Sequence, residues 1–203
     1  MKTIFFALLL FVSTTTFAEN NWSFRIATGS ASASDFDELY YFTGLNQSPH
    51  GTYFYGIDGG YRVAEDLLGW PIDIYTKGGL NYLDENGYQA NTFEATLYIK
   101  LYAKLNIFDN QLRFGLAQGV SYAERPPYVE KMEAEEEQDN TSNLLNYMEI
   151  TFDIDLGRLT RYKALKETYF GYLIKHRSGA QGFYGGVEDG GSNYNSIYIE
   201  KNF

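Results

Sequence analysis

The sequence predicts an all-β fold, an eight-stranded antiparallel transmembrane β-barrel, and three observations predict it. Long segments alternate apolar and polar residues with period two. Long and short connections between those segments alternate as well. Third, 203 residues that are 44% hydrophobic and 18% aromatic must bury much surface. Yet beyond the N-terminus no stretch reaches the ~18 apolar residues of a membrane helix. Such a chain can enter a bilayer only as a closed barrel.

The elements follow in order. Residues 1–18 read as a signal peptide: Lys2 is the positive start, Ile4 to Val12 the apolar run, and Thr16-Phe17-Ala18 the small-residue cleavage site. Residues 19–203 are then the barrel domain. Trp22, Phe24 and Ile26 alternate with Ser23, Arg25 and Ala27. Tyr53, Tyr55, Ile57, Tyr61 and Val63 alternate with Phe54, Asp58 and Arg62. Ile72, Ile74, Leu80 and Tyr82 oppose Asp73, Tyr75, Lys77 and Asn81. Phe93 to Leu105 is the clearest case, 13 residues of strict alternation that a helix would scramble. Leu112, Phe114, Leu116 and Val120 oppose Arg113, Gly115, Gly119 and Ser121. Met148, Ile150, Phe152, Ile154 and Leu156 oppose Tyr147, Glu149, Thr151, Asp153 and Asp155. Phe170, Tyr172 and Ile174 oppose Tyr169, Gly171, Leu173 and Lys175. Ile197 and Ile199 oppose Tyr194, Ser196, Tyr198 and Glu200. The long connections are Ser30–Gly51, Leu83–Asn91, Glu124–Asn143 and Gly179–Ser192. The shorter ones are Ala64–Trp70, Asn106–Asn110 and Gly157–Lys166. The terminal Phe203 resembles the C-terminal assembly signal of outer-membrane barrels, although Lys201 interrupts its apolar alternation.

Apolar-out, the barrel has a charged lumen. Arg25, Arg62, Lys77, Lys100, Arg113, Lys175 and Arg177 would meet Asp58, Asp73, Glu94, Glu149, Asp153, Asp155 and Glu200. Buried charges persist only when paired, and an eight-stranded interior is filled by side chains. No diffusion pore is expected. The alternative is a soluble, lipocalin-like barrel with the apolar face inside.

A net charge of −10 argues against nucleic acid. No cysteine and two histidines exclude thiolate zinc sites and leave little for a histidine metal site. Neither metal nor cofactor is expected. Glu130–Asp139 reads as a solvated acidic loop, whose carboxylates could alternatively bridge divalent cations to lipopolysaccharide. His50 reads as exposed turn, and Trp22, Tyr53, Tyr61, Tyr82 and Tyr122 as interfacial girdles.

Chemistry concentrates at one place. By strand parity His176 and Ser178 continue the lipid face of Phe170, Tyr172 and Ile174, at the extracellular end of the seventh strand. Two residues of strand, about 6.6 Å, separate their α-carbons. Imidazole beside hydroxyl is the minimum for nucleophilic acyl transfer to an ester.

His176-Arg177-Ser178-Gly179, followed by Asp189-Gly190-Gly191-Ser192-Asn193 and the last strand, resembles the PagL family of outer-membrane lipid A 3-O-deacylases. The specific match covers about the last 35 residues; the rest matches as architecture. The resemblance implies Ser178 as nucleophile and His176 as general base and acid. Backbone amides near Gly179 and Ala180 would stabilise the oxyanion. It implies lipid A, in the lipopolysaccharide of the outer leaflet, as substrate, losing an ester-linked 3-hydroxyacyl chain. The chain departs from the family pattern twice: Gly179 stands where the family has Asn, and Ser192 where it has an acidic residue. Glu188, or alternatively Asp189, would supply the acid. The competing function is a non-catalytic outer-membrane barrel for adhesion or membrane stability.

Overall fold

The computed structural model describes residues 21–34, 46–188 and 190–203. The signal-peptide segment and Asp189 lie outside the described residues. Eight strands form: β1 (Trp22–Ala31), β2 (Tyr53–Ala64), β3 (Ile72–Asp84), β4 (Thr92–Ile107), β5 (Asn110–Ala123), β6 (Leu144–Asp155), β7 (Thr168–Ser178) and β8 (Gly191–Asn202). Each pairs antiparallel with its sequence neighbour, and β8 returns to β1 to close the barrel. Closure removes every sheet edge, the condition for strands in lipid.

Alternation decides which side is which. In β4, Phe93, Leu97 and Ile99 face outward and are more than half exposed, while Glu94, Tyr98 and Lys100 between them are buried. That is the reverse of a soluble lipocalin-like barrel, and the outward belt belongs in lipid. Trp22 and Tyr61 pack edge-to-face, at 5.1 Å, at the end carrying Phe203 and the short turns. Tyr53, Tyr82 and Tyr122 mark the other rim. Short turns face the periplasm in such barrels, so the second rim is extracellular.

The lumen is a network of ion pairs. Arg25 bonds Asp58 and Glu149, and Lys100 meets Glu149 at 2.7 Å. Lys77 bridges Asp58 and Glu200; Arg113 bridges Asp153 and Glu200 at 2.9 and 3.1 Å. Lys175 and Arg177 share Glu94. Tyrosine hydroxyls fill further acceptor sites: Tyr147 donates to Glu149, Tyr198 to Asp153 and Tyr102 to Glu200. The expected set is thus paired within the lumen and at its periplasmic mouth. There Asp73 takes Lys104 and Arg62, and Asp155 takes Arg158. Gly171 is needed because a Cβ would lie 2.7 Å from the Tyr198 ring.

Two loop readings are corrected. The acidic segment forms a helix, α1 (Tyr128–Glu137), that packs on the extracellular end of the lumen. Glu130, in its first turn, is 2% exposed; it meets Arg177 at 3.0 Å and accepts from the Ser192 hydroxyl at 2.7 Å. Val129 packs on the cluster of Phe54, Leu83, Leu173 and Tyr194. An upper lumen lined by Arg177 and Lys175 supplies the cations that draw a glutamate inward, so like-charge repulsion governs only the rest of the run. His50 does lie in a turn but is half-buried rather than exposed: its ring meets Tyr88 and Tyr128 edge-on at 5.1 and 5.0 Å, and those two stack on each other.

Candidate functional site

The outer wall above β6, β7 and β8 is polar just below the extracellular rim. β7 alternates there as Tyr172, Ile174, His176 and Ser178 outward against Leu173, Lys175 and Arg177 inward. Both candidate residues therefore lie on the outward row, each half-buried, next to Ile174, which is buried with Ile150 under Tyr172. They share one face, and no hydrogen bond joins them among the described residues.

The ring has a defined partner. His176 pairs across the ladder with Asn193 of β8, and its Nδ1 lies 2.7 Å from Asn193 Oδ1. The Asn193 amide is itself oriented, because its Nδ2 donates to the Ser34 carbonyl at 3.1 Å. With the nitrogen committed, the oxygen faces the ring, so Nδ1 carries the hydrogen. Nε2 then holds the lone pair that a general base uses.

Ser178 has neighbours on both sides: Asn146 of β6 and Gly191 of β8. Directly opposed residues of an antiparallel pair hold their Cβ atoms about 5 Å apart. Asn146 faces outward between the inward Leu145 and Tyr147, and its Oδ1 accepts from Gln118 Nε2 of β5. Its own NH2 is thereby turned away from Gln118. Further down, the Tyr172 hydroxyl donates to Asn195 Oδ1 at 2.5 Å. Below that, Phe152, Ile154, Phe170, Tyr172 and Ile197 line an apolar cleft of about 250 Å³ in the outer wall.

The loop after β7 is tightly folded. Its Gly179 amide donates to the Gly190 carbonyl at 3.4 Å, and the Gly179 carbonyl accepts from Tyr184 at 2.9 Å. A Cβ on Gly179 would sit 1.9 Å from the Val187 oxygen, so no Asn fits there. Ala180 adopts a left-handed φ of 51°, strained for a residue with a Cβ. Its amide takes no part in a backbone hydrogen bond among the described residues. Glu188 is exposed; its amide donates to Asp139 Oδ2 at 2.7 Å, and no hydrogen bond or ion pair links its carboxylate to His176 among the described residues. The structure brings Asn193, not Glu188, to the imidazole.

Sequence reasoning missed Asn146, Asn193 and Gln118. Gln118 left a signal, as the one polar residue on the outward row of Leu112, Phe114, Leu116 and Val120.

α1 grips this region from inside. Glu130 holds Arg177, between His176 and Ser178, and Ser192, beside Asn193. Asp139, just past the helix, holds the amides of Glu188 and Gly190.

No family model matches the chain, and no curated protein sequence matches it. Among solved structures it is similar to the crystal structure of the outer membrane enzyme PagL. The TM-score is 0.56 at 11% identity, over 88% of this chain and 98% of that one. It is also similar to Neisserial surface protein A (NspA), with a TM-score of 0.47 at 9% identity over 90% of this chain and 96% of that one. At such identities the likeness is one of fold: this chain has the eight-stranded barrel of outer-membrane proteins.

Proposed function

We propose that this protein is an outer-membrane ester hydrolase that removes an ester-linked 3-hydroxyacyl chain from lipid A in the outer leaflet. The observation that carries the reading is the oriented Asn193–His176 pair on the same lipid-facing row as Ser178. An imidazole and hydroxyl on the outer wall add nothing to packing, and an ester in the leaflet is what they would meet.

The chemistry follows from the geometry. As Ser178 Oγ attacks the ester carbonyl, His176 Nε2 takes its proton, and the imidazolium is steadied through Nδ1–H to Asn193. An amide in the third position is the arrangement of papain-like proteases, a neutral substitute for the acid. The tetrahedral oxyanion would be held by the Ala180 amide and the Asn146 NH2, which stands in for the side chain that Gly179 lacks. Collapse expels the sugar alkoxide, which takes the proton from His176; water then attacks the acyl-serine by the same route and releases the 3-hydroxy acid. The acyl chain would lie in the cleft at Phe152, Phe170 and Ile197. Four residues of strand, about 13 Å, separate Tyr172 from His176, so only a long chain reaches it.

The resemblance to PagL-type enzymes and the shared fold support this reading. The rival, a non-catalytic barrel for adhesion or membrane stability, is favoured by the missing hydrogen bond between Ser178 and His176. Such contacts often tighten only once substrate binds. The test is mass spectrometry of lipid A from cells with and without the protein. Loss of one 3-hydroxyacyl chain is expected, and identical lipid A with assembled barrel present refutes the enzyme.

A further inference from the structure

The charge of the chain reverses in one periplasmic turn. The turn from β6 to β7 contains Arg158-Leu159-Thr160-Arg161-Tyr162-Lys163-Ala164-Leu165-Lys166, four cations and no anion in a chain of net charge −10. Hairpin loops need two to five residues; this connection, 156–167, is far longer and is ordered. The Asp155 carboxylate accepts the Arg158 amide at 3.0 Å and caps a short helix, α2 (Leu156–Thr160). Arg161 reverses the chain in the left-handed region, and a 3₁₀ turn, Lys163–Leu165, leads back to the strand. Gly157 packs so closely that a Cβ would lie 2.5 Å from Lys166 Cα.

An ordered turn that leaves Leu159 and Tyr162 exposed, at 57% and 63%, has apolar surface with no core to enter. The other two periplasmic turns do the same with Trp70 and Phe108, at 68% and 99%. All three lie where the apolar belt ends, at the headgroup layer. Arg158 is tied to Asp155 and Asn106, and Lys166 to Glu167. Arg161 and Lys163 form no ion pair among the described residues.

We infer that this turn is a binding site for the headgroups of anionic phospholipids in the periplasmic leaflet. Arg161 and Lys163 meet the phosphates while Leu159 and Tyr162 enter the acyl boundary, the division of labour of interfacial basic segments. Charge complementarity selects the occupant: a zwitterionic headgroup cancels its own phosphate, and an anionic one does not. The acidic α1 confines the effect to this end of the barrel.

The chain supplies its own reporters, since its two tryptophans, Trp22 and Trp70, both lie at this end. The full barrel is refolded into phosphatidylcholine vesicles containing a minor fraction of either dibrominated phosphatidylglycerol or dibrominated phosphatidylcholine, and fluorescence quenching is compared. Phosphatidylglycerol should quench more, with a relative affinity of about fivefold for each cation at the surface. Salt should erode that preference. Arg161→Gln with Lys163→Gln should bring the two lipids close to equality, and retained heat-modifiable mobility confirms folding. Arg125→Gln, at the extracellular end, should leave the preference intact. Equal quenching in the unaltered barrel overturns the inference, as does a preference that survives the double substitution. Co-sedimentation with peptidoglycan that the double substitution abolishes, without any lipid preference, reassigns the turn to the cell wall and overturns it too.

Discussion

Polar side chains stand on both sides of this barrel wall and are held in opposite ways. In the lumen they are built around ions, each neutralised by a partner: Glu149 lies between Arg25 and Lys100, and Glu200 between Lys77 and Arg113. On the outer wall near Ser178 they are neutral: an imidazole, a hydroxyl, and the amides of Asn146, Asn193 and Gln118. The difference teaches what each set is for. A buried ion pair is costly to break and offers little to a visitor. Neutral hydrogen-bonding groups can sit at the edge of lipid without a counter-ion, and under the proposed function they can change partners when an ester binds.

The largest expected effect tests the lumen side. Glu149→Leu leaves Arg25 and Lys100 without their shared anion, and breaking a buried pair in this way costs about 3–5 kcal/mol. The heat-modifiable barrel should melt well below the unaltered one, or fail to assemble. An unchanged melting temperature would mean that the network is not structural.

Ser178→Ala is the converse. A half-buried serine on the outer wall contributes little packing, so the melting temperature should stay within the range of about 0.5 kcal/mol expected for surface changes. Deacylation should fall by more than about 10³-fold, because the attacking oxygen is gone. Undiminished loss of the acyl chain in lipid A spectra ends the catalytic reading.

The two amides rank next. Asn146→Ala removes the proposed oxyanion donor and should cost about 10²–10³-fold in kcat. Asn193→Ala frees the ring to rotate and should cost about 10²-fold, the price of misplacing a reacting group. Asn193→Asp, which puts an acid against the ring, should keep most of the activity. Glu188→Gln should change nothing. A larger loss at Glu188 than at Asn193 would return the orienting role to the loop.

That ranking shows how far the sequence could be read. Mid-strand residues are legible because a one-residue error flips a whole face. Phe93–Leu105 left no freedom, and Arg25, Lys100 and Glu149 followed from the same parity. Asn146 and Asn193 sit one residue outside the alternating runs that begin at Tyr147 and Tyr194. Alternation has no power at strand ends, and both residues are polar on the lipid face, opposite to what the pattern expects. Ser192 was judged in sequence, as the place where an acid should be; pairing across the ladder selects its neighbour. Glu130 was hidden differently. Composition says that EKMEAEEEQD repels itself, and only the assembled barrel reveals Arg177 waiting beneath it.

The smallest effect joins the two regions through that helix. Burial pushes the Glu130 carboxyl above its ordinary 4.5, with Glu94 adding to the rise and Arg177, Ser192 and Lys175 opposing it. Burial likewise raises Glu85, which accepts the Tyr128 amide at 3.2 Å; Tyr128, Gln89 and Lys131 oppose the rise, and Asp84 adds to it. A group whose value is raised on docking stabilises the docked state fully below its ordinary value, and that contribution disappears as pH climbs through the raised value. α1 should therefore hold more loosely at pH 8 than at pH 5. The chain has no cysteine, so Glu135→Cys, on the exposed face of α1, accepts a single spin label. Its mobility should rise with pH and should stay flat when Glu130→Gln and Glu85→Gln are added. Because Glu130 steadies Arg177 and Ser192 behind the site, deacylation should decline over the same interval in the unaltered helix and not in the doubly substituted one. A label whose mobility ignores pH would show that the helix packs on the lumen without sensing it.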